Sequence, residues 1–206
     1  YAMVLLYVDD ALGIALNPES ILRDEIGKYF QMKESSIGEP TIYLGGKCCK
    51  IETETGKMAW GFSSSQYVQE ACRNVRQYLK DLNKDQKPEQ CKYFMPKKVS
   101  APLSNDYRPE IDVSQELAPE FAAYYQSLIG VLRWMVELGR VDITCEVSCM
   151  SSCLALPREG HLKQLFHMFR YLEVKHNNVQ VFDPTEPHID PKDIIPKDWS
   201  ESVYAH

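Results

Sequence analysis

An α+β fold is predicted for this chain of 206 residues by the order in which two sequence patterns occur. The first third contains short apolar runs separated by turn residues, which is the pattern of β-hairpins. From residue 66 onward, apolar residues recur at helical spacing in several long segments. Strands gathered in one part of a chain and helices in another are typical of α+β proteins.

The first hairpin is predicted in the opening stretch, YAMVLLYVDDALGIAL. Residues 3–8 and 11–16 are the two strands, and Asp9 and Asp10 form the tip. Because both runs are apolar on both faces, the hairpin is expected to lie deep in a sheet. An Asp-Asp pair is often an ordinary turn in water, but two carboxylates on a rigid support are also the hard oxygen ligands that Mg²⁺ takes. The residues alone leave both interpretations open.

A helix and a second hairpin are predicted next. Asn17 and Pro18 are typical of a helix start, and apolar residues at helical spacing continue to Phe30. Residues 42–51 and 57–62 read as two strands joined by a Glu-Thr-Gly turn.

The rest of the chain is predicted to be mostly helical. A helix at 66–82 is followed by a proline-containing stretch at 83–117, which we interpret as an excursion or linker because a loop of this length is unusual in a compact domain. Three further helices, one short strand and an acidic tail follow, at 119–139, 142–156, 157–175, 179–182 and 183–206.

Composition excludes several classes of protein. Hydrophobic residues make up 44% of the chain and charged residues 25%, as in globular domains. No apolar run reaches the ~20 residues of a membrane span, so no membrane partner is expected. Seven cysteines at irregular spacing favour a reducing compartment, cytoplasmic or nuclear, over secretion. The chain begins without Met inside an apolar run, so we expect it to be a piece of a longer protein.

Although the net charge of the chain is −6, one segment is basic. Residues 70–98 carry eight basic and four acidic side chains. Arg73, Arg76 and Lys80, spaced i, i+3 and i+7, share one helix face that suits a phosphate backbone. A solvated helix face is the alternative explanation of the same pattern.

Five blocks of sequence carry a resemblance to a known family. In order they are YVDDALGIAL, KYFQMKESSIGEPTIYLGGKCCKIE, GFSSSQYVQEACRNV, YYQSLIGVLRWMVELGRVDI and LALPREGHLKQLFHMFRYLEVKH. Together they resemble the later part of the reverse transcriptase of copia-type (pseudovirus) LTR retrotransposons, a portion of the Pol polyprotein. The resemblance extends to about residue 182.

The resemblance implies a fold and an activity. Residues 1–65 would be part of the palm of a right-hand polymerase, residues 66–182 its helical thumb or connection region, and residues 183–206 a tail. The activity implied is RNA-directed DNA polymerisation with deoxynucleotides and an RNA or DNA primer-template, using a two-metal Mg²⁺ site.

The resemblance also implies roles for particular residues. Asp9 and Asp10 would be catalytic metal ligands, with Tyr7 and Val8 near the primer end, and Lys33 would be able to protonate the leaving pyrophosphate. Contacts to the primer and the duplex backbone would come from Tyr43, Leu44, Gly45, Gly46, Arg73, Arg76 and Lys80.

The implied catalytic set is incomplete, because such enzymes carry a third metal-binding aspartate upstream of the YVDD box. We therefore expect the chain alone not to polymerise. One alternative is a non-catalytic retroelement remnant that at most binds nucleic acid. Another, less favoured, is an unrelated Mg²⁺ hydrolase.

Two smaller clusters have structural explanations. Cys145, Cys149 and Cys153 lie on one helical stripe and could form a zinc site with His161, but we favour core packing. Arg140 and Asp142 are predicted to orient two helices.

Overall fold

The computed structural model describes residues 2–184, which form two β-sheets and a group of helices. The first sheet is the predicted hairpin, made of β1 (Ala2–Tyr7) and antiparallel β2 (Asp10–Ala15). Tyr7 pairs with Asp10, so the two-residue tip is Val8-Asp9 and not the aspartate pair. The hairpin is therefore confirmed, with its turn shifted by one residue.

The predicted depth of this hairpin is wrong. Among the described residues its sheet has two strands only, with no third strand beside them. Large apolar side chains are exposed to solvent as a result: Leu6 is 59% exposed and Ile14 is 57% exposed. One face is partly covered, because Gly13 lies against Pro18 and Leu22.

The segment after the hairpin is an irregular helical turn and not the regular helix predicted. Asn17 caps α1 (Pro18–Ser20), as expected, by accepting a hydrogen bond from the Ser20 N–H. A π turn at Ile21–Glu25 and a 3₁₀ turn at Ile26–Lys28 follow. The expected apolar stripe is not buried beyond Leu22; Phe30 is 59% exposed.

The second sheet has the antiparallel order β3-β4-β5-β6. Its strands are β3 (Ile42–Tyr43), β4 (Gly46–Glu52), β5 (Met58–Ser63) and β6 (Gln180–Phe182). The single strand predicted at 42–51 is thus two strands, separated by a tight turn at Leu44-Gly45. The last strand comes from the far end of the described chain, so this sheet joins the first and last parts of the sequence.

Four helices enclose the hydrophobic core. They are α2 (Ser65–Leu82), α3 (Pro119–Glu137), α4 (Thr144–Ser151) and α5 (Glu159–Val174). The helix predicted at 142–156 is shorter, because Val141–Ile143 is a 3₁₀ turn and α4 ends at Ser151. Gly139 ends α3 as predicted, in the left-handed conformation with φ 91°. No helix within residues 2–184 combines the length and apolar character needed to cross a bilayer.

The long loop between α2 and α3 is docked on the helices and does not lead away from them. Tyr93 is 4% exposed and belongs to the core. Further along the loop, the Ala101 carbonyl bonds His167 and the Ser104 N–H donates to Gln164, both on α5. The interpretation of residues 83–117 as an excursion or linker is wrong, because Tyr93 is buried in the core and polar groups of the loop bond α5.

The same loop holds the start of α5. The Asp112 carboxylate accepts hydrogen bonds from the Tyr107 hydroxyl and the Ser114 N–H. The Ser114 hydroxyl accepts in turn from the Gly160 N–H. Asp112 lies directly against Gly160, in a space that a Cβ would occupy. A negative charge at this position suits the positive end of the helix dipole. The acidic tail predicted at 183–206 lies outside the described residues from position 185 onward.

Candidate functional site

The tip of the first hairpin presents the two adjacent carboxylates to solvent. Val8 is 93% exposed and has φ 53°, in the left-handed region that β-branched residues rarely adopt. Asp9 and Asp10 are both exposed. A strained residue of this kind costs about 1–3 kcal/mol and is found most often at functional sites. The conformation of Val8 therefore marks this turn as a candidate site.

Asp10 and Tyr7 lie opposite each other on one face of the hairpin, and that face meets two other parts of the chain. The Tyr7 ring lies 5.7 Å from the Trp134 ring of α3, centroid to centroid. Burial raises the pKa of the Tyr43 hydroxyl on β3, and the negative charge of Asp10 raises it further. The structure thus couples Asp10 to Tyr43 electrostatically, and the roles assigned to these residues remain predictions.

Asp9 and Asp10 are the type of ligand that Mg²⁺ binds, but two carboxylates are too few for a complete site. Asp9 and Asp10 supply hard oxygen donors, which Mg²⁺ prefers. No group of three or more His, Cys, Asp or Glu side chains within residues 2–184 is arranged to hold a metal ion. The described residues could therefore provide two ligands of a shared site, with the others from elsewhere.

The Tyr43–Gly46 segment is a tight hairpin turn. Leu44 and Gly45 have φ 51° and 83°, the combination required by a type I′ turn. Gly46 is buried, and a Cβ placed on it would lie 2.7 Å from Cε1 of Phe62. Close packing of the Phe62 ring thus explains why residue 46 is a glycine.

A polar cavity of about 300 Å³ lies beside this turn, where β4 and β5 meet the start of α2. Two cationic side chains face it, Lys47 from β4 and Arg73 from α2, and neither forms an ion pair within the described part of the chain. Hydroxyl and amide groups complete the lining: Ser63, Ser65, Gln66 and Gln69. The two cations suit a phosphate group. Three of the other groups are already hydrogen-bonded, since the Ser63 hydroxyl donates to the Asn178 carbonyl and both Ser65 and Gln69 bond His176.

The basic face predicted on α2 is present but partly neutralised. Arg73 and Lys80 are exposed. Arg76 instead pairs with Glu173 of α5, with Nη2 2.6 Å from Oε2. That hydrogen bond lowers the pKa of the Glu173 carboxyl and raises the pKa of the Arg76 guanidinium. Arg76 thus joins two helices, and its predicted contact with a phosphate backbone remains a prediction.

Lys33 is not brought to the carboxylates by any contact in the described chain. It is exposed and lies just before a 3₁₀ turn at Glu34–Ser36, where its carbonyl accepts the Ser36 N–H at 2.8 Å. Its proposed role in protonating pyrophosphate remains a prediction.

The cysteine stripe is not core packing, which corrects that prediction. Cys145 and Cys149 are exposed, because α4 buries Val147 and Met150 on its other side. His161 lies apart from them and is 3% exposed. Its Nδ1 accepts from the Arg158 N–H, so Nε2 carries the proton and donates to the Pro109 carbonyl.

The structural role predicted for Arg140 and Asp142 is confirmed. Arg140 is 1% exposed and donates two hydrogen bonds to Asp142, at 2.8 and 2.7 Å. The Tyr171 hydroxyl also donates to Asp142, which connects α5 to the corner between α3 and α4.

Lys47 and the serines and glutamines around its cavity were not found from the sequence. They are spread over β4, β5 and α2, and strand register alone brings Lys47 opposite Ser63. A lysine directly after a glycine pair is the one local signal that could have indicated it.

Comparison with known proteins gives one similarity. Over 171 residues the chain is 27% identical to a Saccharomyces cerevisiae protein described as a transposon Ty5-1 protein. The match covers 82% of this chain and 48% of the yeast protein, so the chain spans about half the length of that relative. No protein-family model matches, and no solved structure matches. The similarity supports a retrotransposon-related origin for the chain.

Proposed function

We propose that the chain is part of a retroelement reverse transcriptase, contributing the end of the palm and the helical region that follows. The observation that carries this proposal is the hairpin tip, where the strained Val8 precedes two adjacent exposed carboxylates. The retrotransposon similarity supports it. The finer assignment, Mg²⁺-dependent nucleotidyl transfer to a primer on a template, belongs to the longer parent protein.

In this proposal Asp9 and Asp10 hold Mg²⁺ together with a third carboxylate from outside the described residues. The ion supplies charge stabilisation for phosphoryl transfer when it is bound. The chain's own residues position the partners. The Tyr7–Trp134 contact would hold the hairpin against α3, and the charge of Asp10 acts on Tyr43 at the start of the YLGG turn.

Primer and template would be held through their phosphates along the adjacent surface. Lys47 and Arg73 line the polar cavity, and Lys80 extends the basic face of α2. Each phosphate neutralised by such a residue releases counterions, which makes binding weaken as salt increases. Arg76 would contribute little, because Glu173 already neutralises it.

A second candidate function is nucleic-acid binding without catalysis. One observation favours it: Lys47 and Arg73 line one polar cavity, and neither forms an ion pair within residues 2–184. A retroelement remnant could keep the Lys47 and Arg73 surface after losing the rest of the catalytic set. Both candidates predict no primer extension by the chain alone.

Divalent-ion dependence separates the two candidates. We would measure binding of the full chain to a labelled primer-template with a recessed 3′ end, by fluorescence anisotropy, in Mg²⁺ and in EDTA. Under the first proposal Mg²⁺ tightens the complex in the wild type, and Asp9→Asn abolishes that gain. Asp24→Asn, an exposed aspartate in the π turn, is the matched control and should keep it.

Three results are informative. Equal affinity in Mg²⁺ and EDTA, with binding that weakens in salt, would favour the non-catalytic candidate. Loss of the Mg²⁺ gain in Asp24→Asn as well as Asp9→Asn would mean that the effect is not specific to the hairpin. Affinity that does not respond to salt would refute phosphate recognition and both candidates with it.

A further inference from the structure

Two of the seven cysteines are set apart by their surroundings. Cys145 and Cys149 are the two exposed cysteines, and neither donates to a backbone carbonyl within residues 2–184. Four other cysteines each donate a hydrogen bond from the thiol to a backbone carbonyl. The pairs are Cys49 to Gly61, Cys91 to Lys87, Cys153 to Cys149 and Cys72 to Phe169. The first two thiols are therefore the most available to reagents.

Their spacing places them together on the outer side of α4. Residues four apart on a helix are neighbours on one face, with Cβ atoms about 5–6 Å apart. Burial raises the pKa of the Cys149 thiol, and the charge of Cys145 and a hydrogen bond with it raise that pKa further. Val147 and Met150 are the residues of α4 that face the core, so the two cysteines lie on the side of the helix away from the core.

We propose that Cys145 and Cys149 form a two-thiol site for thiophilic electrophiles that accept two sulfur ligands, the class of trivalent organoarsenicals. In the reaction with an arsine oxide, two As–S bonds form and the arsenic–oxygen bonds break. The oxygen leaves as water with the two thiol protons. Arsenic stays trivalent, so no oxidant or reductant is needed.

The geometry favours a two-ligand centre over a structural zinc site, which needs four ligands. The described residues offer no group of three or more metal-ligating side chains. A rigid pair also benefits from chelation, because after the first bond the second thiol acts at high effective concentration and strengthens binding by about 10²–10⁴-fold.

Other thiol pairs in the chain are less suited. Cys153 is also four residues from Cys149, but it follows the end of α4 at Ser151. Its thiol donates to the Cys149 carbonyl, and Cys153 is half-buried.

Cys48 and Cys49 are adjacent in β4, and successive strand residues face opposite sides of a sheet. This geometry keeps their two sulfurs from chelating one centre.

Phenylarsine oxide is the probe that tests the site on the full chain. We would titrate it against wild type, Cys145→Ser, Cys149→Ser and Cys153→Ser in the presence of excess monothiol, which competes with single As–S bonds. Intact mass measures the adduct, and peptide mapping locates it. All the substitutions are at exposed or half-buried positions, and circular dichroism checks that each variant is folded.

The expected result is one arsenical per wild-type chain and per Cys153→Ser chain, bridging residues 145 and 149. Cys145→Ser and Cys149→Ser should each bind at least about 100-fold more weakly. Equally weakened arsenical binding in Cys153→Ser would assign the site to the pair Cys149 and Cys153 and overturn the proposal. An adduct at Cys48 or Cys49, or full retention in Cys145→Ser, would also overturn it.

Discussion

Replacing Gly160 by alanine tests the contact between Asp112 of the long loop and the first turn of α5. A Cβ at this position would lie 2.8 Å from Cγ of Asp112, closer than real side chains approach. Asp112 cannot move away freely, because Tyr107 and Ser114 hold its carboxylate. The added methyl must therefore displace either the carboxylate or the first turn of the helix.

The expected destabilisation can be estimated from these contacts. Alanine in a helix is favoured over glycine by up to about 1 kcal/mol, which opposes the clash. Hydrogen bonds to a charged group contribute about 1.5–3 kcal/mol each, and two are at risk. The favourable charge at the helix start adds about 0.3–1 kcal/mol. Allowing for partial relaxation, we expect a net loss of about 3 kcal/mol, or roughly 10 °C in melting temperature for a chain of this size.

The assay is thermal and urea unfolding followed by circular dichroism, with Gly130→Ala as the control. Gly130 lies in α3 with nothing within 4 Å of a built Cβ, so alanine there should stabilise by up to about 1 kcal/mol. Introducing Gly160→Ala into an Asp112→Ala background should remove most of its cost, because the clashing group is gone. Stabilisation by Gly160→Ala comparable to that of Gly130→Ala would refute the contact with Asp112.

Three further predictions follow from the same structure. Gly46→Ala should destabilise the second sheet by displacing the Phe62 ring, seen as a lower melting temperature and a changed near-ultraviolet spectrum; an unchanged melting temperature would contradict the packing. Lys47→Gln and Arg73→Gln should each weaken primer-template binding and reduce its salt slope by about one, whereas an unchanged slope would exclude phosphate contact. The pKa of Glu173 is lowered on folding, so its stabilisation is present above about pH 4.5 and is lost as the pH falls through the lowered value. Glu173→Gln should therefore cost stability at pH 7, and a cost that did not shrink at acidic pH would refute the linkage.

Local chain chemistry predicted much of the fold. The first hairpin, the cap at Asn17, the start of α2 and the stop at Gly139 each depend on residues close together in sequence. The α5 segment was found for the same reason, since its apolar periodicity is strong and it begins two residues after Pro157.

Features that depend on distant partners were not predicted correctly. Arg76 looks available for phosphate until Glu173, 97 residues later, is placed beside it. The apolar face of the first hairpin predicts burial, but no other strand among the described residues pairs with it. The loop at 83–117 has few apolar residues, yet Tyr93 reaches the core and neighbouring polar groups bond α5. In the candidate site, the roles of Asp10 and Tyr43 remain predictions, whereas Lys47 became visible only through strand register.

Direct binding of Mn²⁺, a paramagnetic substitute for Mg²⁺, tests the central claim that Asp9 and Asp10 form a metal site. Free Mn²⁺ gives a strong electron paramagnetic resonance signal that falls on binding. We expect the full chain to bind one ion weakly, since two carboxylates are supplied, and Asp9→Asn combined with Asp10→Asn to abolish that binding while Asp24→Asn keeps it. Equal Mn²⁺ binding by the wild type and the double variant would contradict the claim.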